Sequence, residues 1–482
     1  MNNKGTILVV GASGFLGQRL AADFEEYRLV GTYFRHQSSE FIYLDLREQQ
    51  QVDNVLSSTT PSIVLYAAGL TDVDACERKP DLARRLNAEA VAMIARYPSV
   101  RTVYFSTDYV FDGKQGLYNE YDETAPLNEY GLSKLAGEEA VLSENPANLV
   151  IRVSGLYNST GVRNGGSDLR THIKVYADDI RRSSPVHVDD VVRAVKLLIE
   201  RNEGGVYHAA GPDVLSRYEF SQLVSLRSLK GVTVLPFTNS GEEGACRPEN
   251  SSLTSVRLEN LGWHPRRVCN SLRPLTGRNS RLDKRYSEAL FIDCIGALLS
   301  RRTWLVQDAE IDNLDENCAR YAVGKNQWRK AVESLGLKLS HAELKEHITS
   351  RYVPNPTVWS RLSAWRSDYH LALVNNGPAD TFRRWVAKYG LDDVFDILVN
   401  SEELGIEKSS PEFFLQVARR LGVRTNNCIL IDDDTRNIDA AKKCGIRGVH
   451  TVERWGYPIS EYVWNTTEDA GPFDVNHLEE GM

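Results

Sequence analysis

The chain has 482 residues, which is too long for one ordinary hydrophobic core, and a prior of about 150 residues per domain predicts two to four domains. Its hydrophobic fraction of 42% and charged fraction of 25% are typical of globular proteins. The net charge of −8 argues against nucleic acid or an anionic membrane as the main partner, because both attract clustered lysine and arginine side chains.

The cysteines and the N-terminal residues indicate a cytoplasmic protein. The seven cysteines are scattered, odd in number and never spaced as Cys-x-x-Cys, so neither a zinc site nor a disulfide framework is predicted. No apolar run reaches the roughly 18 residues that a membrane span requires. The first residues run from a strand pattern straight into a glycine turn and lack the regions of a signal peptide.

The first predicted element is a strand at residues 6–10, an apolar run typical of a strand buried on both faces of a parallel sheet. A Gly-x-x-Gly-x-x-Gly turn and a helical pattern follow directly. Glycines at this place let a pyrophosphate approach the positive end of the helix. The predicted dinucleotide contacts in this turn are Gly11, Ser13, Gly14, Phe15, Leu16 and Gly17.

The second predicted strand, residues 28–34, ends at Arg35. An acidic residue here would indicate NAD, because it would accept a hydrogen bond from the ribose 2′-hydroxyl. The positive charge favours a 2′-phosphate and therefore NADPH, with NADH and a merely solvated arginine as the alternatives. The remaining predicted cofactor contacts are Asp45 and Leu46, then Ala67, Ala68 and Gly69 at the end of a strand at residues 62–69.

Residues 106–138 carry the side chains with the clearest chemistry. Ser106 and Thr107 end a predicted strand, and Tyr130 and Lys134 lie one helical turn apart on the same face of the next helix. A phenol, an ammonium group and hydroxyls in this arrangement can transfer a proton to a carbonyl oxygen.

These motifs resemble the extended short-chain dehydrogenase/reductase family, in particular its dTDP-4-dehydrorhamnose reductases. The resemblance covers residues 1 to about 265 and includes matching segments at 71–77, 183–192, 205–224 and 247–258. It implies NADPH-dependent reduction of a 4-keto-6-deoxy nucleotide sugar, for a surface polysaccharide or a glycosylated metabolite. One relative regulates an adenosyltransferase instead, so an NADP(H)-binding regulatory protein is the alternative. The resemblance does not determine the sugar, and a homodimer is one candidate assembly.

The resemblance assigns a role to each of these side chains. Tyr130 is the general acid, and Lys134 together with the oxidised nicotinamide lowers the pKa of its phenol from the usual value near 10. Thr107, with Ser106 beside it, hydrogen-bonds the substrate carbonyl, and hydride comes from the nicotinamide. Residues 154–182 and 212–260 form a small substrate lobe. Candidates for binding the nucleotide diphosphate are Arg152, Arg181, Arg182 and, within a matching segment, Arg247.

A basic segment at residues 266–287 is predicted to be a linker, because it has many lysines and arginines and no clear periodicity. Beyond it, a strand at 289–299 contains Asp293, a strand at 371–377 ends in Asn375 and Asn376, and Lys408 follows. A last strand ends in an acidic cluster near residue 433. Carboxylates, an amide and a lysine after successive strands predict magnesium-dependent phosphoryl transfer.

This half resembles the haloacid dehalogenase superfamily over residues 288 to about 455, with a helical cap at about 300–366 and a tail at 456–482. The resemblance makes Asp293 the nucleophile and Lys408 its charge partner, and Asn375 and Asn376 substrate contacts. It places Mg²⁺ at Asp293, Ile295 and Asp433, with Asp432 or Asp434 in support. The whole chain is therefore expected to be an α/β protein with two Rossmann-like parallel-sheet domains, 1–265 and 288–455.

Three positions of the second half depart from the family pattern. Ile295 replaces a second aspartate that protonates the leaving group, Ala297 replaces a threonine, and Asn375 replaces a serine or threonine. Loss of general acid catalysis costs about 10²- to 10⁴-fold in rate. A slow phosphatase, an inactive scaffold and a dehalogenase-like hydrolase are therefore the alternatives for this half. Only the fusion suggests that the two halves act in one pathway.

Overall fold

The computed structural model describes residues 4–161, 174–178, 180–226, 233–237, 244–272, 288–301, 349–350, 352–452 and 463–465. These residues belong to two compact units. The first contains the described parts of Met1–Leu169, Ala177–Phe220 and Phe237–Arg273, and the second those of Arg170–Tyr176, Ser221–Pro236 and Pro274–Met482. None of the described helices combines the length and apolar character needed to cross a membrane.

The strands are β1 (Thr6–Val10), β2 (Arg28–Tyr33), β3 (Ile42–Tyr43), β4 (Ile63–Tyr66), β5 (Arg101–Thr107), β6 (Leu149–Val153), β7 (Lys174–Asp178), β8 (Arg182–Ser183), β9 (Gly205–Ala209), β10 (Leu215–Ser216), β11 (Thr233–Phe237), β12 (Ala289–Asp293), β13 (Leu299–Arg301), β14 (Tyr352–Pro354), β15 (His370–Asn375), β16 (Ile397–Asn400), β17 (Cys428–Asp432), β18 (Arg447–Val452) and β19 (Val463–Asn465).

The α-helices are α1 (Phe15–Ala21), α2 (Gln49–Thr59), α3 (Val73–Arg78), α4 (Pro80–Arg84), α5 (Ala90–Ala95), α6 (Glu129–Glu144), α7 (Val188–Glu200), α8 (Arg217–Leu226), α9 (Val256–Asn260), α10 (Val268–Ser271), α11 (Pro356–Trp359), α12 (Leu362–Asp368), α13 (Ala379–Tyr389), α14 (Ser401–Leu404), α15 (Pro411–Leu421) and α16 (Thr435–Lys443). A π-helical turn covers Arg85–Glu89, and 3₁₀ turns cover Asp108–Val110, Leu391–Asp393 and Thr425–Asn427.

The first unit is built on a parallel sheet with strand order β3-β2-β1-β4-β5-β6-β9. The order reverses direction between β1 and β4, and sheets of this kind bind ligands in the crevice beyond the carboxyl ends of the strands at such a point. Ile7 and Val9 belong to the hydrophobic core on one face of the sheet, and Leu8 and Val10 to the core on the other. The prediction that the first strand is buried on both faces is therefore confirmed.

The second unit has a sheet with strand order β16-β15-β12-β17-β18-β19. Strand β12 lies between β15 and β17 and runs parallel to both, so its carboxyl end, Asp293, is central. The prediction of one strand over 289–299 is wrong. The strand ends at Asp293, the chain turns at Gly296, whose φ of +94° suits glycine, and strand β13 then pairs antiparallel with β14.

Two predicted boundary segments are only partly described. Most of the cap at 300–366 lies outside the described residues, which include β14, α11 and α12 from it. Of the tail at 456–482, Val463–Asn465 is described and pairs antiparallel with β18 at the edge of the sheet.

The predicted linker at 266–287 begins with folded residues. Arg266 pairs with Asp190 and Arg267 pairs with Asp213, and helix α10 follows. These pairs hold residues 266–272 in the first unit, while 273–287 lie outside the described residues. The charge pattern suggested a linker because a sequence does not indicate which basic residues have buried acidic partners.

Candidate active sites

The glycine turn of the first unit brings helix α1 close to strand β1. A Cβ at position 17 would lie 2.1 Å from the Gly11 carbonyl oxygen, so this position admits only glycine without a shift of the backbone. The Gly14 amide donates to the same carbonyl at 2.9 Å, and Gly11 approaches Ala68 after β4. The turn therefore presents backbone amides at the start of α1, an arrangement that fits a dinucleotide pyrophosphate.

The Gly17→Ala substitution is expected to weaken NADPH binding by about tenfold or more and to destabilise the fold by about 1–3 kcal/mol, because the added methyl group must push α1 away from the turn. Fluorescence titration with NADPH and thermal unfolding measure the two effects. The control is Ala21→Gly in the same helix, which is expected to cost some stability and leave NADPH affinity close to wild type. Wild-type affinity in Gly17→Ala would contradict this account of the turn.

Two arginines lie near the carboxyl end of β2. Arg35 is exposed, and no described residue pairs with it. Arg47, which the sequence reasoning missed, donates to the Asp45 carboxylate at 2.8 Å and 2.6 Å and lies over the Phe34 ring. The Arg47 guanidinium lowers the pKa of Asp45 from its usual value. Asp45 is therefore held by an arginine, and the local charge at this corner remains basic.

Strand β5 and helix α6 bring the predicted catalytic side chains together. The Thr107 hydroxyl lies close enough to the Tyr130 phenol to lower its pKa. The Ser106 hydroxyl is buried, and among the described residues it has no hydrogen-bond partner. Asn128 caps α6 by accepting from the Gly131 amide at 2.8 Å, which starts the helix just before Tyr130. The site thus has an unpaired buried hydroxyl at the end of β5 and a phenol at the start of α6.

Burial raises the pKa of Tyr130 above its usual value, and the nearby Thr107 hydroxyl offsets this only in part. The Lys134 ammonium lies 4.1 Å from the centre of the Tyr104 ring. A lowering of the Tyr130 pKa by Lys134 together with the oxidised nicotinamide stays a prediction. Lys134 is 4% exposed, and its ammonium has no hydrogen-bond acceptor in the described parts of the chain. This unpaired cation fits a polar ligand such as a cofactor ribose.

The pH dependence of reduction is expected to follow Lys134. Burial lowers the pKa of Lys134 to about 7, although Glu138 acts in the opposite direction. The ammonium is therefore lost as pH rises through about 7, and kcat/KM should fall above that pH. Lys134→Arg keeps its charge throughout and should lack this fall, even if its rate is lower. Initial rates of NADPH oxidation between about pH 5.5 and pH 9 test this; equal profiles would contradict it.

Asn87 is a functional candidate for which the sequence analysis gave no role. It is fully buried in the π-helical turn, accepts from the Leu70 amide at 2.9 Å, and donates to the Ser133 hydroxyl at 2.9 Å. Its own carbonyl accepts from the Tyr104 hydroxyl. Asn87 thereby joins the loop after β4 to α6, next to Lys134. A π-turn, which often lies at functional sites, cannot be identified from residue pattern.

The candidate diphosphate arginines already make other contacts within the chain. Arg152 is buried in a two-pronged ion pair with Glu138, so the prediction that it binds a diphosphate is wrong. Arg181 pairs with Asp178, and Arg247 donates to Asp74 at 2.7 Å. The fourth, Arg182, lies on strand β8. Asp74 lies in the matching segment 71–77 and Arg247 in the matching segment 247–258, so this pair joins two motifs of the first unit.

The acidic centre of the second unit forms at the ends of β12 and β17. Lys408 contacts the Asp293 carboxylate and lies 3.0 Å from Asp432, and all three are nearly fully buried. Burial by itself lowers the pKa of Lys408, but the two carboxylates outweigh it and raise the pKa above its usual value. Lys408 is therefore a permanent cation, and the predicted pairing of Lys408 with Asp293 is present.

The carboxylates of this centre fit a divalent cation. Oxygen atoms of Asp293, Asp432 and Asp433 lie within 4.8 Å of one another. Gly296 leaves room for them, because a Cβ there would lie 2.2 Å from the Asp433 carboxylate. Ile295 has no side-chain ligand atom, so only its backbone carbonyl can contribute. Oxygen donors of this kind suit Mg²⁺.

The remaining predicted positions lie beside this centre or apart from it. Asn375 ends strand β15 next to β12 and is 2% exposed. Its side-chain amide has no hydrogen-bond partner among the described residues. Asn376 is exposed. Asp434 caps α16 and pairs with Arg436, so Asp432 and not Asp434 supports the cation position. The unpaired amide of Asn375 is available to a phosphoryl oxygen.

Comparisons with known proteins give two family matches. Residues 5–275 match the RmlD substrate binding domain, and residues 279–445 match the haloacid dehalogenase-like hydrolases. The chain is 30% identical over 318 residues to the methionine adenosyltransferase 2 subunit beta of Pongo abelii, which covers 59% of this chain and 91% of that protein. It is 36% identical over 170 residues to the probable low-salt glycan biosynthesis reductase Agl14 of Haloferax volcanii, and this match covers 33% of this chain and 56% of that protein.

Among solved structures, the dTDP-4-dehydrorhamnose reductase of Bacillus anthracis in complex with NADP is similar to the first half. The TM-score is 0.50 at 27% sequence identity, and the match covers 56% of this chain and 97% of that one. The predicted fusion of a reductase-like and a hydrolase-like domain is confirmed. The chain belongs to the RmlD substrate binding domain family and carries, after it, a haloacid dehalogenase-like hydrolase domain.

Proposed function

We propose that the first domain reduces the 4-keto group of a 6-deoxy nucleotide sugar with NADPH. The observation that carries this proposal is the arrangement of Thr107 at the end of β5 with Tyr130 and the unpaired Lys134 ammonium on helix α6. The glycine turn at the end of β1 supplies a second part of the same crevice. A proton donor, a buried cation and a pyrophosphate cradle together suit hydride transfer to a carbonyl better than hydrolysis or binding alone.

The reaction balances as one hydride and one proton added to a ketone. Bound NADPH supplies the hydride to the carbonyl carbon. Tyr130 gives its phenolic proton to the carbonyl oxygen, which becomes a hydroxyl group. The unpaired Ser106 hydroxyl and Thr107 orient that oxygen, and Lys134 holds hydroxyl groups of the cofactor ribose. A raised Tyr130 pKa keeps the phenol protonated before reaction, as a general acid requires.

NADPH is favoured over NADH by the charges around β2. Arg35 and Arg47 would lie near the 2′-position of the adenosine ribose, where a phosphate suits guanidinium groups. Asp45, the acidic group at this corner, is already paired with Arg47. The Bacillus anthracis reductase structure contains NADP, in line with this choice.

For the second domain we propose a slow, magnesium-dependent phosphatase that acts on a small phosphate ester such as a sugar phosphate. Asp293 would attack phosphorus and expel the alcohol, and water would then hydrolyse the aspartyl phosphate, which releases phosphate and restores Asp293. Lys408 would balance the added negative charge, and Asn375 would hold a phosphoryl oxygen. Asp293 and Asp433, with Asp432 behind them, would hold Mg²⁺, which supplies charge neutralisation at the phosphate. With Ile295 in place of an acid, the leaving group takes its proton from water, so the rate is low.

One experiment tests both activities of the intact protein. NADPH oxidation is followed at the nicotinamide absorbance band with a panel of 4-keto nucleotide sugars, and phosphate release from sugar phosphates is measured with Mg²⁺. We expect turnover of at least one keto sugar and metal-dependent phosphate release. Tight NADPH binding with no oxidation by any sugar would refute the reductase proposal.

That outcome would favour a second candidate, an NADP(H)-binding regulatory protein with an inactive hydrolase domain. Its support is the likeness to a protein named as a subunit of an adenosyltransferase over 91% of that protein's length. The Tyr130 and Lys134 pair argues against it for the first domain, since a binding role needs no proton donor. A cytoplasmic location fits either function, because the cysteines among the described residues are all free thiols.

A further inference from the structure

A buried carboxylate stands directly behind the catalytic hydroxyl of the first domain. Asp108 follows Thr107, is 5% exposed and begins the 3₁₀ turn Asp108–Val110. Among the described residues no lysine or arginine pairs with it. A buried carboxylate without a cation is costly to keep in a fold unless hydrogen bonds satisfy its oxygens. Packing alone would therefore not stabilise the Asp108 carboxylate at this position.

Three hydroxyl groups supply those hydrogen bonds. Thr107 donates to one carboxylate oxygen of Asp108 at 3.1 Å, while Ser154 and Ser251 donate to the other at 2.7 Å and 2.6 Å. Ser154 follows β6, and Ser251 lies in the segment 247–258 that matched the reductases. Asp108 thus ties the end of the catalytic strand to two distant parts of the chain.

These hydrogen bonds limit what the Thr107 hydroxyl can do. A threonine hydroxyl has one proton and two lone pairs. With that proton directed to Asp108, the Thr107 oxygen is left to accept, and it does so from the Tyr109 amide at 3.3 Å. Thr107 also lies close enough to the Tyr130 phenol to lower its pKa. A hydroxyl lowers a phenol pKa by donating to it, so Asp108 and Tyr130 compete for the single Thr107 proton, and Asp108 holds that proton in the structure.

We propose that Asp108 is a positioning residue for the reduction: anchored by Ser154 and Ser251, it holds the Thr107 hydroxyl in place until the substrate carbonyl oxygen arrives. When a carbonyl oxygen arrives, the Thr107 proton turns from Asp108 to that oxygen, and Asp108 keeps its two serine donors. The change exchanges one hydrogen bond for another, so it adds little to the barrier. The expected change in kcat rests on the proposed reductase activity, whereas the hydrogen bonds of Asp108 do not.

The test compares Asp108→Asn with Asp112→Asn, a control in the same loop whose carboxylate accepts from Tyr118. We expect Asp108→Asn to lower kcat by about 10- to 100-fold, the effect of one hydrogen bond to a charged group, while KM for the sugar changes by less than about threefold. The control should have wild-type kinetics. If Asp108 had a purely structural role, Asp108→Asn would lower the stability to unfolding but would not lower kcat selectively over KM.

A second readout needs no substrate. In protein labelled with [ζ-¹³C]tyrosine and loaded with NADP⁺, the NMR signal that disappears in Tyr130→Phe reports the phenol. It should shift in Asp108→Asn and not in Asp112→Asn. If Asp108→Asn does not fold, Ser251→Ala removes one anchor and should give a smaller shift of the same sign. An unmoved Tyr130 signal in a folded variant overturns the proposal, whereas a wild type that reduces no sugar counts against the reductase proposal alone.

Discussion

Tyr130→Phe is expected to lower kcat for NADPH oxidation with a keto sugar by about 10²- to 10⁴-fold, the contribution of a general acid, while NADPH affinity stays close to wild type. Removal of the hydroxyl leaves the carbonyl oxygen without its proton donor but leaves the glycine turn and Lys134 unchanged. Steady-state rates at saturating substrate, together with fluorescence titration of NADPH, separate the two effects.

The matched control for this substitution is Tyr109→Phe. Tyr109 packs edge-on against Tyr130, with ring centres 5.8 Å apart, so its variant loses a phenol hydroxyl from the same neighbourhood. We expect its kcat to remain within about threefold of wild type. If Tyr130→Phe retained full turnover, or if both variants lost activity equally, Tyr130 would not be the proton donor.

Asp293→Asn should abolish phosphate release, with a loss on the order of 10⁴-fold or more, because an amide cannot attack phosphorus as a carboxylate does. The variant should still fold, since Lys408 keeps Asp432 as a partner at 3.0 Å and is not left buried without a carboxylate. Phosphate release with Mg²⁺, measured for variant and wild type at equal concentration, provides the comparison.

Asp434→Asn is the control in the same acidic cluster. Asp434 caps helix α16 and pairs with the exposed Arg436, and asparagine also caps helices well. Its rate of phosphate release should therefore be close to wild type. Equal activities of wild type and Asp293→Asn would show that the second domain is not a phosphatase of the proposed kind, and any released phosphate would then come from a contaminant.

The two domains differ in how complete their proposed catalytic groups are. In the first, the phenol, the hydroxyls and the lysine predicted from the motifs lie at one strand end and one helix. In the second, the nucleophile, the lysine and the acidic cluster meet, but Ile295 offers no proton. The first domain is therefore expected to set the principal activity, and the second to be slow or specialised for substrates with a good leaving group.

Much of the fold could be predicted from local pattern. The apolar run of β1, the glycine turn and the polar residues at strand ends were identified correctly, because alternation and turn chemistry are properties of neighbouring residues. The segment 289–299 is an exception. Its turn at Gly296 is flanked by the apolar residues Ile295 and Ala297, so the whole run resembled one strand.

Charged side chains were harder to assign, since a sequence does not indicate what an arginine pairs with. Arg152 was a candidate for a diphosphate and is buried against Glu138 instead. Arg247 reaches Asp74, 173 residues away in the chain. No role for Asp108 was predicted from the sequence, because the two serines that donate to it lie 46 and 143 residues away in the chain.

The sequence by itself determined the family, the two α/β domains and the chemical types of the proposed catalytic groups, because spacing within a helix or at a strand end sets which side chains share a face. Only the tertiary structure decided which groups are paired and which are free. Lys408 meets Asp293 across 115 residues, while Lys134 and Asn375 remain without described partners. Contacts of that kind depend on the order of strands in the sheet, and no local pattern encodes them.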